Sequence, residues 1–422
     1  MTEPSAGRGP AGGNPGVRVR RVAPAEREAW LRATGLAFSE VPTTELLERD
    51  RRLLEWDRCL GATVGNEIVG TAAAITYAMT VPGGTAPVAG VTAVGVLPTH
   101  RRRGVLTALM RRQLADVRWR GEVAAALWAS ESGIYERFGY GVAAPSAACR
   151  IATRHSAFRA APTPPGRLRV LAADAGLAVR LQPAFDAVRA LVPGMVPRTA
   201  ARWADRLAPV PHPGEAVGDL VVGVHEDPAG TVDGYVCYRV QHEWHGPGAA
   251  AILRVEELVA ADPEVEAALW RLCLDLDLVA EVEARHRPLD DPLRDRLREP
   301  RRLRVETRDG LWLRLVDLPA ALAARRYATA GRLVLRVEDP LCPWNDGVFE
   351  LEGGPDGASC RPTRRRPVLR VPVAALATAY LGQTRLHTLV RAGWVAELQP
   401  GAAAAADRLL GWPRAPWCPD VF

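Results

Sequence analysis

Three consecutive arginines, Arg101, Arg102 and Arg103, are followed directly by Gly104. The first turn of a helix carries free backbone N–H groups and a partial positive charge, so acidic side chains normally lie there. Arginines at that position oppose the helix dipole unless a multiply charged anion binds, and a glycine lets the backbone approach that anion closely. This order of residues indicates a phosphate site, and a solvated basic helix end is the alternative.

The elements around these arginines predict how they are positioned. Residues 88–96 predict a strand, and Thr99 predicts the N-cap of a helix over residues 100–118, whose apolar side chains share one stripe. No Gly-Lys-Ser/Thr follows, which argues against a P-loop, and no GxGxxG fingerprint follows a strand.

A second segment repeats this plan of hairpin, strand, helix and strand. The first copy comprises residues 62–64, 68–81, 88–96, 100–118 and 123–129, and the second comprises residues 220–224, 235–243, 249–259, 263–274 and 276–282. At the equivalent turn the second copy reads Ala261-Asp262-Pro263-Glu264, acidic where the first copy is basic. We therefore expect only the first copy to hold a phosphate.

Composition indicates an ordinary globular protein and excludes several classes. A chain of 422 residues is long enough to predict two or three domains. Its residues are 48% hydrophobic and 24% charged, which is close to the usage of globular proteins. Lysine is absent, and the net charge of +6 comes from arginines spread along the whole chain, unlike the clustered basic face of a nucleic-acid binder. No apolar stretch could cross a bilayer or serve as a signal peptide, so we predict a cytoplasmic protein without nucleic-acid or membrane partners.

Linkers divide the chain into segments of mixed α+β character. Residues 1–16 predict a disordered leader, and the Pro-rich stretches at 160–165 and 288–300 predict domains over 17–157, 158–300 and 301–422. Seven scattered cysteines without CxxC spacing predict reduced structural thiols. His242-x-x-His245 falls on a predicted strand without a third ligand, so we expect no metal site there.

The sequence resembles the GNAT superfamily of N-acetyltransferases, whose motif A reads Arg/Gln-x-x-Gly-x-Gly/Ala. Arg101 and Gly104 match this motif, whereas Leu106 departs from its final small residue. The stretches THRRRGVL and WASESGIYERFGYG and the terminal PWCPDVF narrow the resemblance to the enhanced-intracellular-survival (Eis) family. It covers nearly the whole chain after the leader and implies two GNAT-like domains, the second degenerate, followed by a sterol-carrier-like α+β domain.

The resemblance also implies the site residues. Tyr135 would protonate the leaving thiolate, with Tyr140 as its competitor, and the terminal carboxylate of Phe422 would act as base. Acetyl-CoA would contact the end of the strand and the following turn, at Val94, Gly95, Val96, Arg102, Arg103, Gly104, Val105, Leu106 and Thr107. It would also contact Ser130 and Glu131, which follow the next strand.

The same family implies acetylation of polyamines such as aminoglycosides, at several sites, by a homohexamer. Trp56, Phe38 and Glu40 precede the hairpin where acceptor pockets lie in this superfamily, and ordinary packing is their alternative role. Two rival functions stay open at this point: a module that senses acyl-CoA or binds an apolar ligand, and an acetyltransferase of protein lysines.

Overall fold

The computed structural model describes residues 16–174, 176–208, 218–242, 244–245 and 248–422, and it describes no side chain within residues 243–249. The predicted leader therefore lies outside the described residues, except for Gly16. Within this part of the chain, no helix combines the length and apolar character needed to cross a membrane.

Helices and strands alternate along the described chain. The α-helices, numbered α1 to α12, span Arg27–Ala37, Thr44–Leu53, Val105–Trp119, Ser132–Tyr135, Leu177–Arg189, Ala200–Arg206, Pro263–Leu274, Leu293–Arg296, Leu318–Ala324, Val373–Ala379, Leu386–Arg391 and Ala402–Leu410. The strands, numbered β1 to β19, span Val17–Arg21, Leu60–Val64, Glu67–Val81, Gly84–Val96, Ala124–Trp128, Gly141–Ala152, Arg167–Ala172, Val221–Glu226, Val232–Gln241, Trp244–His245, Gly248–Ala249, Ala251–Ala260, Val279–Arg287, Arg304–Leu315, Gly331–Glu338, Gly347–Gly354, Gly357–Pro362, Leu369–Pro372 and Ala396–Glu397.

The chain forms two compact units. The first contains the described residues up to Thr76 together with Ala89–Gly121, and the second contains Tyr77–Val88 and Glu122–Phe422. The tip of the β3–β4 hairpin therefore belongs to the second unit.

The first unit is a strand layer in the order β1-β2-β3-β4 with helices packed on it. Helix α3 lies close to β3, because a Cβ atom on Gly70 would stand 2.8 Å from Val105 Cγ1. The buried amide of Gln113 donates to the Ala73 carbonyl oxygen at 2.9 Å, which fixes the helix along the strand. Strand β3 and the long helix α3 are thus packed against each other, and the arginines lie directly before this helix.

The predicted start of helix α3 was wrong. Thr99 does not cap it, since residues Pro98–His100 form a single 3₁₀ turn, the chain then turns again, and the helix begins at Val105 with Gly104 as its N-cap. Arg102 and Gly104 both have positive φ, at 61° and 80°, which a right-handed helix cannot accommodate. The three arginines therefore occupy the turn before the helix and not its first turn.

The second unit contains a long sheet in the order β5-β14-β6-β13-β12-β9-β8-β7. Strands β12 and β13 are parallel, and β14 pairs antiparallel with both β5 and β6. The repeated plan of hairpin, strand, helix and strand is present here as β8, β9, β12, α7 and β13. Strand β14 lies within the range that the sequence assigned to the third domain, yet its hydrogen bonds join it to this sheet.

A separate five-stranded sheet follows, in the order β17-β16-β15-β18-β19. The buried helix α10 packs against β6, where a Cβ atom on Gly141 would lie 2.2 Å from the Ala374 carbonyl oxygen. The buried Arg314 of β14 donates to both carboxylate oxygens of Asp339, at 2.7 and 2.6 Å. These contacts join the C-terminal domain to strands β6 and β14 of the long sheet.

Candidate active site

A four-residue turn, Arg101–Gly104, lies between the 3₁₀ turn that follows β4 and the start of α3, and we call it the arginine turn. Arg101 stabilises it, because its guanidinium donates to the carbonyl oxygens of Ala37 at 2.8 Å and of Val96 at 3.3 Å. Arg102 and Arg103 are exposed, and no hydrogen bond or ion pair of theirs is found within the described chain. One arginine thus builds the turn, and two guanidinium groups remain available to a ligand.

The start of helix α3 has the polarity of an anion site. No side chain caps its first amides, and no acidic residue lies in its first turn. A Cβ atom on Gly104 would have no heavy atom within 4 Å, so the backbone of the N-cap is open. The amides of Val105, Leu106 and Thr107 therefore need an external acceptor, and an anion is favoured there.

The end of β4 is distorted just before the three residues that the resemblance assigns to the acetyl-CoA site. Ala93 has a positive φ of 50°, and its carbonyl oxygen accepts the Thr71 hydroxyl at 2.9 Å. Gly95 is required for packing, because its Cβ atom would lie 2.6 Å from Ala37 Cβ. Val94 and Val96 on either side of Gly95 are half-buried.

The equivalent helix in the second copy is already satisfied. The carboxylate of Asp262, the N-cap of α7, accepts the amides of Glu264 at 2.6 Å and Val265 at 3.2 Å. An aspartate here provides internally the negative charge that α3 lacks. The start of α7 thus has an internal cap, in contrast to the open start of α3.

Tyr135 lies at the end of the short helix α4, in the second unit, and is 6% exposed. Its ring contacts that of Tyr140 edge-on, with centroids 5.8 Å apart. Burial raises the pKa of Tyr135 to about 12, so the phenol keeps its proton at neutral pH. Tyr140 is 0% exposed, and its hydroxyl has no partner in the described chain, so of the two only Tyr135 retains accessible surface. Ser130 and Glu131, which follow β5 and precede α4, are exposed.

The C-terminal segment, Gly411–Phe422, has neither helix nor strand, yet residues 415–419 are buried. The amide of Ala415 donates to the Asp290 carboxylate at 2.9 Å, and that of Trp417 donates to the Pro193 carbonyl oxygen at 2.8 Å. The indole N–H of Trp417 donates to the His286 carbonyl oxygen. The C-terminal segment is thus built into the second unit, although it has no regular secondary structure.

The last three residues are held from both sides. The indole N–H of Trp128 donates to the main-chain carbonyl oxygen of Asp420 at 2.8 Å. The ring of Phe422 packs on Tyr77, with centroids 5.1 Å apart. These contacts restrict the position of Phe422.

A buried ion cluster lies behind the C-terminal segment. It consists of Arg198, Arg206, Tyr235, Glu257 and Asp420, brought together from segments far apart in the sequence. Burial alone would raise the pKa of Glu257, but the charges of Arg198 and Arg206 keep it well below its usual value. This cluster is not predictable from the sequence alone, in which its local signal is a charged residue within a predicted strand.

His286 is a further residue that the sequence did not single out. It has a positive φ of 54° at an irregularity of β13, and its ring stands edge-on to Trp128 with centroids 5.0 Å apart. Desolvation, together with the charges of Arg206, Arg285 and Arg308, lowers its pKa to about 4. The imidazole is therefore neutral at physiological pH.

The remaining sequence candidates are two histidines and three residues near the first hairpin. His242 lies at the end of β9, the side chain of His245 is among those not described, and no group of three or more potential metal ligands occurs among the described residues. Trp56 packs edge-on to Trp30 at 5.9 Å, under the Arg27 guanidinium, whereas Phe38 and Glu40 are exposed. The seven cysteines are free thiols.

Family models match three consecutive regions of the chain. An acetyltransferase (GNAT) domain matches residues 18–143, a second acetyltransferase (GNAT) domain matches residues 194–315, and a sterol carrier protein domain matches residues 318–419. The predicted fold class, tandem GNAT-like domains followed by a sterol-carrier-like domain, is thereby confirmed.

Relatives that align along most of the chain identify the family. An uncharacterized N-acetyltransferase of Streptomyces coelicolor is 42% identical over 94% of this chain and 97% of its own length. The N-acetyltransferase Eis of Mycobacterium tuberculosis is 36% identical over 79% of this chain and 80% of its own. The chain belongs to the Eis family of GNAT acetyltransferases. The crystal structure of Eis1 from Mycobacterium abscessus matches with a TM-score of 0.83 and 39% identity, over 96% of this chain and 100% of that one. This Eis-family protein is therefore an N-acetyltransferase.

The lowered pKa of His286 predicts how acid affects stability. The unfolded chain binds a proton at this residue below about pH 6.5, but the folded protein does so only near pH 4, so stability is lost as pH falls between these values. We expect His286 to contribute a loss of about 1–3 kcal/mol over that window. NMR titration of histidine-labelled protein, with the resonance assigned by His286→Gln, measures the pKa directly.

The exposed His387 provides the matched control for unfolding measurements. His387→Gln makes the same substitution at an exposed position and controls for the loss of one histidine. His286→Gln should flatten the pH dependence of urea unfolding between about pH 6.5 and 4. A His286 resonance that titrates near its ordinary pKa would contradict the neutral, desolvated environment described above.

Proposed function

We propose that this Eis-family enzyme transfers the acetyl group of acetyl-CoA to primary amines. The observation that carries the proposal is the uncapped start of helix α3, with its open Gly104 and the exposed Arg102 and Arg103. This arrangement suits a pyrophosphate, because backbone amides and guanidinium groups then share the negative charge. Acetyl-CoA supplies the activated acetyl group as its thioester.

In the proposed reaction, the neutral amine attacks the thioester carbonyl carbon, a C–N bond forms and the C–S bond breaks. The departing sulfur takes the proton of the Tyr135 hydroxyl, and solvent restores that proton afterwards. Tyr135 keeps its proton at neutral pH, as a general acid must, although burial raises its pKa to about 12 and so makes it a weaker acid than an exposed phenol. Tyr140 is fully buried and is the less suitable acid.

We further propose that the terminal carboxylate of Phe422 accepts the proton that the amine loses, directly or through a water molecule. A terminal carboxyl group has a pKa near about 3.5, so it is charged at neutral pH and also attracts an ammonium group. The ordered contacts of Asp420 and Phe422 support the role, since a base must be held in place to act.

Polyamines, aminoglycosides included, are the acceptors we propose, with acetylation at more than one amine. A fixed carboxylate favours cationic acceptors of this kind, and the family membership supports the same class. We propose on the same family grounds that Val94–Val96, the α3 start, Ser130 and Glu131 contact acetyl-CoA, and that the enzyme is a cytoplasmic homohexamer. Protein lysine remains the competing acceptor, and comparing peptide with aminoglycoside turnover separates the two.

The arginine turn yields the first kinetic prediction. Replacing both Arg102 and Arg103 by alanine should raise the KM for acetyl-CoA about tenfold or more, because a charge-assisted hydrogen bond contributes roughly 1.5–3 kcal/mol. The KM for the amine should change little. Arg111→Ala, which removes an exposed arginine further along the same helix, is the control. Equal KM values in the three proteins would remove the turn from acetyl-CoA binding.

The two tyrosines form a matched pair for the acid. Tyr135→Phe should lower kcat by about 10²–10⁴, the usual contribution of a general acid, while the dissociation constant of acetyl-CoA stays the same. Tyr140→Phe removes a buried hydroxyl without a described partner and should retain activity within about threefold. Thiol release in the presence of an amine measures both. Loss of activity in Tyr140→Phe, with Tyr135→Phe unaffected, would instead make Tyr140 the acid.

The terminal carboxylate is tested by moving it. An enzyme extended by three residues beyond Phe422 keeps every side chain but replaces the carboxylate with a peptide bond, so amine-dependent thiol release should fall at least tenfold if the group is a base worth roughly 10²–10⁴. Acetyl-CoA binding, measured by calorimetry, should be unaffected. Full turnover by the extended enzyme would exclude the carboxylate from the mechanism.

A further inference from the structure

Arg198 connects the core of the second unit to the C-terminal segment. Its side chain is 1% exposed, and its guanidinium stacks on Phe185 and Trp203 at 4.1 and 4.7 Å from their ring centroids. One edge of the guanidinium binds the Glu257 carboxylate through both Nη atoms, with Nη1 at 2.9 Å from Oε1. The remaining donor, Nε, donates to Asp420 Oδ1 at 2.7 Å.

Asp420 completes the charge balance of this ion cluster. Glu257, which also accepts from Tyr235 at 2.5 Å and from Arg206 at 3.2 Å, provides one negative charge against two arginines. Asp420 provides the second, so the four ionised groups sum to zero only when the C-terminal segment is docked. Undocking would leave an excess positive charge in a buried place, which is unfavourable.

The terminal carboxylate is only two residues beyond this anchor. Two residues of extended chain span at most about 7 Å, so fixing Asp420 restricts the carboxylate to a small volume. The Asp420 main chain is held separately, by the Trp128 indole at 2.8 Å, and among the described contacts of residues 420–422 the Arg198 bond is the charge-assisted one.

We propose that Arg198 is a positioning residue for acetyl transfer, which holds the terminal carboxylate in place through Asp420. The inference rests on the proposed role of that carboxylate. Arg198 itself touches neither substrate in this reaction; it acts through the Asp420 side chain and the two residues that follow.

The test replaces Asp420 and leaves the buried Arg198–Glu257 pair intact. Asp420→Ala removes the contact, and Asp420→Asn keeps a hydrogen-bond acceptor but removes the charge. Asp275→Ala is the matched control, because this aspartate forms an exposed ion pair with Arg271 elsewhere in the second unit. Thermal melting of each variant establishes that it is folded before kinetics are compared.

Two measurements distinguish positioning from a general structural role. Carboxypeptidase A should release Phe422 at least about tenfold faster from Asp420→Ala, at an intermediate rate from Asp420→Asn, and at the native rate from Asp275→Ala. In the thiol-release assay, kcat/KM for the amine should fall about tenfold in Asp420→Ala, while the KM for acetyl-CoA stays within about twofold because the arginine turn is untouched.

A double variant decides whether Asp420 acts through the terminal carboxylate. If it does, Asp420→Ala in the enzyme extended beyond Phe422 should lose no more activity than the extension alone. Losses that multiply, or native Phe422 release and native kinetics in Asp420→Ala, would overturn the inference and leave the proposed base standing. An extension without effect would instead remove the proposed base, and the positioning role with it.

Discussion

A buried guanidinium needs carboxylates and aromatic faces to replace the water it has lost. Arg198 has both, and one of its two carboxylates, Asp420, comes from 222 residues further along the chain. Removing one partner of such a buried pair costs about 3–5 kcal/mol, which is a large share of the stability of a typical domain. The position of Asp420 is therefore tied to the stability of the fold, although the C-terminal segment contains no helix or strand.

The two GNAT-like domains also differ in how the polar groups at one helix start are satisfied. Each has a strand followed by a helix, and each helix begins with amides that lack intrahelical partners. Asp262 satisfies those of α7 from within the chain, whereas Gly104 leaves those of α3 open beside two exposed arginines. The duplicated framework thus has an open helix start in one copy and an internally capped helix start in the other.

Local signals explain what the sequence could predict. Neighbouring residues suffice to identify the three arginines, the acidic turn of the second copy and the order of strands and helices. The structure has its strands and helices in the predicted order. The start of α3 could not be predicted, because it depends on a positive φ at Arg102, and an arginine in a sequence does not indicate that backbone conformation. The pairing of β14 with β5 and β6, and of Arg198 with Asp420, depends on contacts between distant segments, which one sequence does not reveal.

The environments of the two proposed acid–base groups complement each other. Desolvation disfavours the phenolate of Tyr135, so this phenol is protonated at neutral pH and can serve as an acid, though a weaker one than an exposed phenol. A base must instead stay ionised, and Phe422, which bears the proposed carboxylate, is only half-buried and keeps contact with solvent. Complete burial would make a tyrosine inaccessible, as it does for Tyr140, so the acid requires a narrow range of exposure. The short segment between the two tyrosines sets that difference, because α4 ends at Tyr135 and the turn at Gly139 directs Tyr140 into the core.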